Sequence, residues 1–195
     1  MKLEKIPPTL PGQDYGLRVD WQTMIDAMIF PNRRALAENC RGRLCPLPVC
    51  CEIGVLNGDF SKWIWNIFAP SKIYLIDLII RPLVSTYFHP HAVFLEGDSS
   101  TVIQKIPDET IDYLYIDGDH SYDGICKDIR ASWPKVKPGG IIQFNDYCTW
   151  SPAEDMEYGV LNAVNALIEE MQTPIIGLSL DRSGYHDIAI RKPLN

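Results

Sequence analysis

Three polar side chains that could do chemistry follow directly on an apolar run. Asp117, Asp119 and His120 come after residues 111–116, a mostly β-branched and aromatic segment that predicts a buried strand. In open α/β sheets, ligands bind outside the carboxyl ends of the strands. Carboxylates and imidazole at that place can bind a cation or carry a proton. A polar turn before a helix near Ser121 is the alternative, but a helix cap needs fewer charged groups.

A second pair of polar side chains follows another predicted strand. Asn145 and Asp146 come after residues 141–144, an apolar segment entered through a Pro-Gly-Gly turn at 138–140. Because parallel strands end at the same edge of a sheet, the sequence predicts that this pair completes the site begun by Asp117.

A glycine-containing segment predicts a ligand site earlier in the chain. Glu52 lies at the end of a predicted strand over residues 47–53, and Gly54 and Gly58 lie between this strand and a predicted helix ending near residue 67. Glycine permits a tight turn and close approach of the backbone, and the first turn of a helix offers unpaired N–H groups. The Gly-x-x-x-Gly spacing differs from the Gly-x-Gly-x-x-Gly of dinucleotide-binding proteins.

Two more acidic residues end predicted strands. Asp77 ends the strand over residues 72–78, 19 residues after Gly58, where a carboxylate can accept hydrogen bonds from a ribose diol or else cap the next segment. Asp98 follows the strand over residues 92–95 and precedes Ser99 and Ser100, either of which could cap a helix over residues 102–106. Asp98 is a candidate for facing an adenine amino group.

The elements that must position these side chains alternate between strands and helices. This alternation predicts an α/β fold: a Rossmann-like, doubly wound, mainly parallel seven-stranded sheet. A C-terminal hairpin with its turn at residues 181–184 adds an antiparallel strand. A capping box at residues 151–154 predicts a helix running to Met171.

The first 46 residues are predicted to form an N-terminal arm and a helix that packs on the core. Prolines and glycines interrupt residues 1–18, and residues 19–39 have helical spacing with a break or kink at Pro31. In this segment the Arg33-Arg34 pair is interpreted as a solvated face of the helix rather than as an anion site. Residues 47–195 are predicted to form the main domain, with a single globular domain overall.

Composition excludes several classes of function. The 195 residues carry 18 Lys and Arg against 25 Asp and Glu, a formal net charge of -7, and no basic stripe that would bind a nucleic acid. We see no signal peptide and no apolar stretch long enough to cross a membrane, so we expect a cytoplasmic protein. The six cysteines lack Cys-x-x-Cys spacing and are expected to be reduced.

Five segments, taken together and in order, resemble class I S-adenosylmethionine-dependent methyltransferases. They are Glu52-Ile-Gly54-x-x-x-Gly58, Asp77, Gly97-Asp98-Ser99, Asp117-Gly-Asp119-His120-Ser-Tyr, and Pro-Gly-Gly leading to Asn145-Asp146. The third and fourth segments are most similar to the subgroup with macrolide-sugar and aminocoumarin-sugar O-methyltransferases and cephalosporin-biosynthesis proteins. The resemblance covers about residues 47–147.

The resemblance implies a role for each of these positions in binding S-adenosylmethionine. Glu52, Gly54 and Gly58 would surround the methionine part, with Asp117 also beside the cofactor. Asp77 would bind the ribose hydroxyls, and Asp98 with Ser99 would border the adenine.

The resemblance also implies a divalent cation, usually Mg²⁺, held by Asp117, Asn145 and Asp146. Asn145 departs from the two acidic residues that sugar-modifying relatives often have at this place, which keeps an oxygen ligand but lowers the charge. An ion bound to the acceptor oxygen lowers its pKa and fixes its direction. His120 and Asp119 are both candidates for the base, with His120 slightly favoured because imidazole titrates near neutral pH.

We therefore expect Mg²⁺-assisted O-methylation of a small hydroxylated molecule such as a sugar or a diol. The alternatives are a metal-independent methyltransferase and a non-catalytic module that keeps the fold. A nicotinamide-dependent reductase is disfavoured by the glycine spacing. Residues that could border the acceptor are Tyr15, Arg18, Tyr122, Tyr147, Trp150 and His186. The N-terminal arm could cover the site or form a dimer, which leaves a homo-oligomer open.

Overall fold

The computed structural model describes residues 17–88, 90, 92–181 and 183–194. Residues 1–16, which include Tyr15 and most of the predicted arm, lie outside the described residues. The helices are α1 (Trp21–Met24), α2 (Arg33–Arg41), α3 (Asp59–Phe68), α4 (Pro82–Phe88), α5 (Ser99–Val102), α6 (Tyr122–Ser132) and α7 (Val160–Met171). Short 3-10 turns follow α5 and α6 at Ile103–Lys105 and Trp133–Lys135.

The strands of the central sheet are β1 (Met28–Phe30), β2 (Val49–Ile53), β3 (Lys72–Asp77), β4 (Ala92–Glu96), β5 (Ile111–Ile116), β6 (Val136–Phe144), β9 (Ile175–Ser179) and β10 (Ile188–Arg191). A separate hairpin consists of β7 (Trp150–Ser151) and β8 (Met156–Glu157). Within the described residues the sheet has eight strands in the order β1-β9-β10-β6-β5-β2-β3-β4, and only β10 is antiparallel to its neighbours. The Rossmann-like prediction is confirmed, with one strand more than expected.

Both faces of the sheet are covered by helices because successive residues of each strand point to opposite faces. On one face, Cys51 and Leu114 belong to a core that includes residues of α6 and α7. On the other face, Cys50 and Tyr113 belong to a core that includes residues of α2 and α3. The strands β2 and β5 lie at the centre of the sheet, and their carboxyl ends carry the polar residues that the sequence singles out.

The prediction of one helix over residues 19–39 is wrong for the middle of that range. The segment forms the short helix α1, the edge strand β1 and then α2, with Pro31 between β1 and α2. β1 pairs in parallel with β9, where a side chain on Gly177 would lie 2.5 Å from the carbonyl oxygen of Met28. Glycine in β9 thus lets β1 add to the sheet, a tertiary contact that overrides the helical spacing.

The predicted helix start at residue 151 is also wrong. Ser151 Oγ does accept a hydrogen bond from Glu154 N at 3.2 Å, as in a capping box. The chain then turns back as the β7–β8 hairpin, and α7 begins only at Val160. Met156, which helical spacing assigns to the buried stripe, is exposed in β8. Among the described residues, no helix is long and apolar enough to cross a membrane.

Candidate active site

Gly54 brings the glycine segment against the end of β5. The strands β2 and β5 are adjacent and parallel, and Asp117 N donates a hydrogen bond to the carbonyl oxygen of Ile53 at 2.8 Å. Gly54 has a φ of +85°, and a Cβ added there would lie 1.8 Å from the carbonyl oxygen of Asp117. Only glycine fits such a contact, so the glycine segment and Asp117 meet at one edge of the sheet.

Asp77 holds the glycine segment in place. Its Oδ2 accepts hydrogen bonds from the backbone N–H groups of Val55 and Leu56, each at 2.8 Å, and its Oδ1 accepts one from Ile79 N at 3.3 Å. The carboxylate therefore lies at the end of β3 beside the glycine segment, as the sequence predicts. Its predicted role toward a ribose diol stays a prediction, and its contacts in the structure are with backbone.

Glu52 lies underneath the glycine segment. The side chain is buried and accepts a hydrogen bond from Ser61 Oγ in α3. Burial raises its pKa well above the usual value, and the nearby charges of Asp117 and Asp77 act in the same direction. The carboxyl group thus favours the neutral form and helps to link β2 to α3.

Asp98 and Ser99 lie at the start of α5. Asp98 caps the helix through a hydrogen bond from Thr101 N at 3.1 Å and also accepts one from Ser100 Oγ at 2.5 Å. Ser99 Oγ donates to Asp128 on α6, a buried carboxyl whose pKa burial raises to about 6. The sequence offered Ser99 or Ser100 as the cap, whereas the structure gives it to Asp98.

Asp117, Asn145 and Asp146 come together with His120 at the ends of β5 and β6. Asn145 Nδ2 donates to Asp117 Oδ1 at 2.8 Å. His120 Nε2 lies 3.4 Å from Asp117 Oδ1 and 3.7 Å from Asp146 Oδ2. Two residues from the segment after β6 and two from the segment after β5 thus form one polar cluster, as the sequence predicts.

The electrostatics of this cluster depend on its burial. Burial raises the pKa of Asp146 to about 6, and Asp117 acts in the same direction, whereas His120 opposes it. Burial lowers the pKa of His120, but the negative charges of Asp117 and Asp146 favour the protonated form, and the net shift is upward. Asp146 also has a φ of 51°, a left-handed conformation that is uncommon outside glycine.

Three buried atoms of the cluster have no hydrogen-bond partner: Asn145 Oδ1, Asp146 Oδ1 and His120 Nε2. Such atoms are costly unless a ligand or an ion satisfies them. Two carboxylates and an amide oxygen are ligands that Mg²⁺ accepts. The described residues contain no group of three or more His, Cys, Asp and Glu side chains that could hold a metal ion. The donor set is therefore limited to Asp117, Asp146 and the amide of Asn145, which fits a hard cation that keeps several waters.

The two candidate bases have different surroundings. Asp119 is exposed, and its Oδ1 accepts a hydrogen bond from Ser121 N at 2.9 Å in the turn before α6. Gly124 leaves room for it, because a Cβ there would lie 2.2 Å from Asp119 Cγ. His120 instead faces the cluster. Asp119 stabilises the start of α6, and His120 is the side chain that points toward Asp117 and Asp146.

Two residues beside His120 and Asp117 were missed by the sequence reasoning. Tyr158 is buried, and its ring stacks on His120 with 4.5 Å between ring centroids. Arg33 is half-buried and contacts Tyr115 Oη at 3.4 Å. The interpretation of Arg33 as a solvated face is therefore wrong, although Arg34 is exposed as expected. No local motif marks either residue, since each contact joins distant parts of the chain.

Comparison with known proteins gives this arrangement a family. Residues 51–147 match a family described as a methyltransferase domain. That range contains every element of the polar cluster and of the glycine segment.

Residues 51–147 of the chain therefore form a methyltransferase domain.

Similar proteins agree with this assignment. An uncharacterised protein of Acanthamoeba polyphaga mimivirus is 32% identical over 91 residues, which cover 46% of this chain and 35% of that protein. The MycE methyltransferase from the mycinamycin biosynthetic pathway, solved with Mg and S-adenosylhomocysteine, superposes with a TM-score of 0.59 at 19% identity, covering 80% of this chain and 48% of that one. A methyltransferase from Mesorhizobium loti gives a TM-score of 0.59 at 14% identity, covering 78% and 95% of the two chains.

The chain spans about a third of the curated viral relative and about half of the MycE chain. At these low identities, the likeness to the solved structures concerns the fold. The individual roles of Glu52, Gly58, Asp77, Asp98 and Ser99 toward S-adenosylmethionine stay predictions.

Proposed function

We propose that this protein transfers the methyl group of S-adenosylmethionine to a hydroxyl oxygen of a small molecule, with a divalent cation at Asp117, Asn145 and Asp146. One observation carries the proposal: the unpartnered buried oxygens of Asn145 and Asp146 lie in the same cluster as the Asp117 carboxylate. Oxygen atoms of carboxylates and amides are ligands that suit Mg²⁺. The solved MycE complex contains Mg, which adds support by analogy of fold.

In this proposal the glycine segment and Asp77 position the methyl donor. The acceptor oxygen attacks the methyl carbon, the bond between carbon and sulfur breaks, and S-adenosylhomocysteine leaves with the electron pair on sulfur. When bound, the cation would supply positive charge that lowers the pKa of the acceptor hydroxyl. Positioning of the two reactants contributes much of the acceleration.

His120 would accept the proton of the acceptor hydroxyl at Nε2. Two features favour it over Asp119: its Nε2 has no hydrogen-bond partner, and its ring faces Asp117 and Asp146. The carboxylate of Asp119 is engaged by Ser121 N. This assignment agrees with the preference drawn from the sequence.

The experiment is calorimetric titration of Mg²⁺ into the protein saturated with S-adenosylhomocysteine, for the parent and for Asp146→Ala. We expect saturable binding that Asp146→Ala abolishes, and no change for Asp26→Asn, an exposed carboxylate on another part of the chain. Equal Mg²⁺ binding by the parent and Asp146→Ala would show that the metal site is wrong.

The metal-independent alternative has its own test. Formation of S-adenosylhomocysteine from a panel of hydroxylated acceptors is measured before and after exhaustive chelation. Activity that survives chelation supports the alternative, in which Asp117 and Asp146 orient the acceptor directly. The absence of turnover with every acceptor, together with normal S-adenosylmethionine binding, supports a non-catalytic module.

A further inference from the structure

A cavity of about 310 Å³ lies between the starts of α2 and α3. Its wall consists of residues 32–34, the α3 residues Asp59, Phe60 and Trp63, and Asp181 after β9. Because β1, β2 and β9 run in the same direction, the segments that follow them lie at the same edge of the sheet as Asp117. The cavity is therefore on the side of the molecule where the methyl donor is expected.

The cavity is close to the polar cluster through Tyr115. Arg33 Nη1 donates to Tyr115 Oη at 3.4 Å, and the ring of Phe60 stacks on Tyr115 with 3.7 Å between centroids and 17° between planes. Asp117 follows the end of β5, and its charge acts on both Tyr115 and Arg33. The wall formed by Arg33 and Phe60 thus adjoins the polar cluster through Tyr115.

Arg33 is fixed on the wall by contacts on its buried side. Besides Tyr115, its Nε lies 3.9 Å from Asp187 Oδ1, and its side chain remains 34% exposed. A guanidinium group has five N–H donors. The remaining donors on the exposed side are therefore available to a ligand, with little loss of side-chain freedom on binding.

Two carboxylates line the cavity, and each already has a partner within the protein. Asp59 pairs with Lys62 Nζ at 3.1 Å, and Asp181 Oδ1 accepts hydrogen bonds from Ser183 N at 3.0 Å and from its Oγ at 2.5 Å. Burial raises the pKa of Asp187 to about 7, so this carboxyl offsets Arg33 only in part at neutral pH.

Arg34 adds a second guanidinium at the first turn of α2, where the helix end also favours a negative charge. Its Nε lies 3.1 Å from Glu38 Oε1, and a solvent-exposed ion pair of this kind contributes little to stability. Phe60 and Trp63 supply an apolar surface beside these charges, and Trp63 is partly exposed.

From this arrangement we infer that the cavity binds the acceptor, and that it selects a hydroxylated ring that carries a carboxylate or a phosphate. The ring would pack against Phe60 and Trp63, and the anionic group would bind Arg33 and Arg34. The inference rests on the proposed function for the identity of the bound molecule as acceptor. The binding preference itself is independent of methyl transfer.

The test compares acids with neutral molecules of the same shape. The probes are 3,4-dihydroxybenzoate against 3,4-dihydroxybenzamide, and methyl glucuronide against methyl glucoside. Each is titrated by calorimetry into the protein saturated with S-adenosylhomocysteine, so that no turnover is needed. We expect the acid of at least one pair to bind on the order of tenfold or more tightly than its neutral partner, the value of a charge-assisted hydrogen bond.

Arginine variants show which residues cause the preference for the acid. Arg33→Gln and Arg34→Gln are each expected to remove most of the advantage of the acid and leave the neutral probe unchanged. Arg41→Gln, which removes the same charge at the other end of α2, is the matched control. Because Arg33 contacts buried groups, its variant is assessed by thermal unfolding, and the exposed Arg34 provides an independent answer if Arg33→Gln does not fold.

Three outcomes would contradict the inference: equal affinity for acid and neutral probe, tighter binding of the neutral probe, and no saturable binding of either acid. The protein could also prefer the acid through Arg34 and yet transfer no methyl group. That result would leave the cavity assignment standing and remove the proposed reaction. Turnover of acceptors by a protein that binds acid and neutral probes equally would leave the proposed reaction standing and remove the cavity assignment.

Discussion

The imidazole of His120 lies parallel to the ring of Tyr158, with 4.5 Å between the centroids and 8° between the planes. Tyr158 is buried and its Oη donates to Glu154 Oε2 at 2.9 Å, so the ring is held on both sides. The next residue, Gly159, donates its N–H to the carbonyl oxygen of His120 at 2.8 Å. The segment after β8 therefore fixes both the backbone and the ring of His120.

This stack predicts that Tyr158 positions the base. Tyr158→Leu should lower kcat by about tenfold, because a misplaced proton acceptor is inefficient, while the Kd for S-adenosylhomocysteine stays unchanged. Tyr158→Phe keeps the ring and should retain most of the activity. Steady-state kinetics with calorimetry check both. If Tyr158→Phe and Tyr158→Leu reduce kcat equally, the hydroxyl of Tyr158 and not its stacking on His120 supports the activity.

Asn145→Asp tests the balance of charge in the polar cluster. Without metal, the new carboxylate faces Asp117 in place of an amide donor, which should lower the free energy of unfolding by about 1–3 kcal/mol. With Mg²⁺ the added charge becomes favourable, so the stabilisation by Mg²⁺ should exceed that of the parent. Thermal unfolding in chelator and in Mg²⁺ measures both. The control is Asn66→Asp in α3, outside the cluster, and an unchanged Mg²⁺ response of Asn145→Asp would contradict the site.

Gly54 and Gly184 form a matched pair for the contact between β2 and β5. Their φ angles are +85° and +84°, but a Cβ on Gly54 would lie 1.8 Å from the Asp117 carbonyl oxygen, whereas nothing lies within 4 Å at Gly184. Gly184→Ala should therefore cost only about 1–2 kcal/mol for its backbone conformation.

Gly54→Ala should cost several kcal/mol more than Gly184→Ala and weaken S-adenosylhomocysteine binding, because Asp117 and the glycine segment must separate. Denaturant unfolding and calorimetry provide the two measurements. Similar losses of stability for the two variants would mean that the close approach to Asp117 is unimportant.

Asp187 should make stability depend on pH. It is buried, accepts hydrogen bonds from Gln143 Nε2 at 2.8 Å and Tyr115 Oη at 3.1 Å, and burial raises its pKa to about 7. For a carboxyl whose pKa is higher in the folded state, the stabilising contribution is complete below the unfolded value near 4. It is lost as the pH rises through about 7.

Asp187→Asn has no such titration, so its stability relative to the parent should increase between pH 4 and 7.5 by up to about 4 kcal/mol. Urea unfolding of both proteins at several pH values measures this difference. The pH dependence that comes from Asp128 and Asp146 is common to both proteins and cancels. Parallel pH profiles would show that Asp187 has an ordinary pKa.

The sequence by itself determined the central sheet and the residues at its edge. β-branched and aromatic runs predicted β2, β3, β4 and β5 to within two residues, because a strand buried on both faces has an unmistakable apolar composition. The polar residues that follow such runs were therefore expected at strand ends. Asp117, Asn145 and Asp146 could therefore be placed together before any coordinates were known.

The tertiary structure decided what depends on contacts between distant segments. The edge strand β1 exists because Gly177 lets it approach β9, and the β7–β8 hairpin replaces a predicted helix. Arg33 was assigned to a solvated face, yet Tyr115 and Asp187, 82 and 154 residues away, hold it against the core. Local spacing carries no information on such pairs, because their energy comes from burial and from charges that only the folded chain brings together.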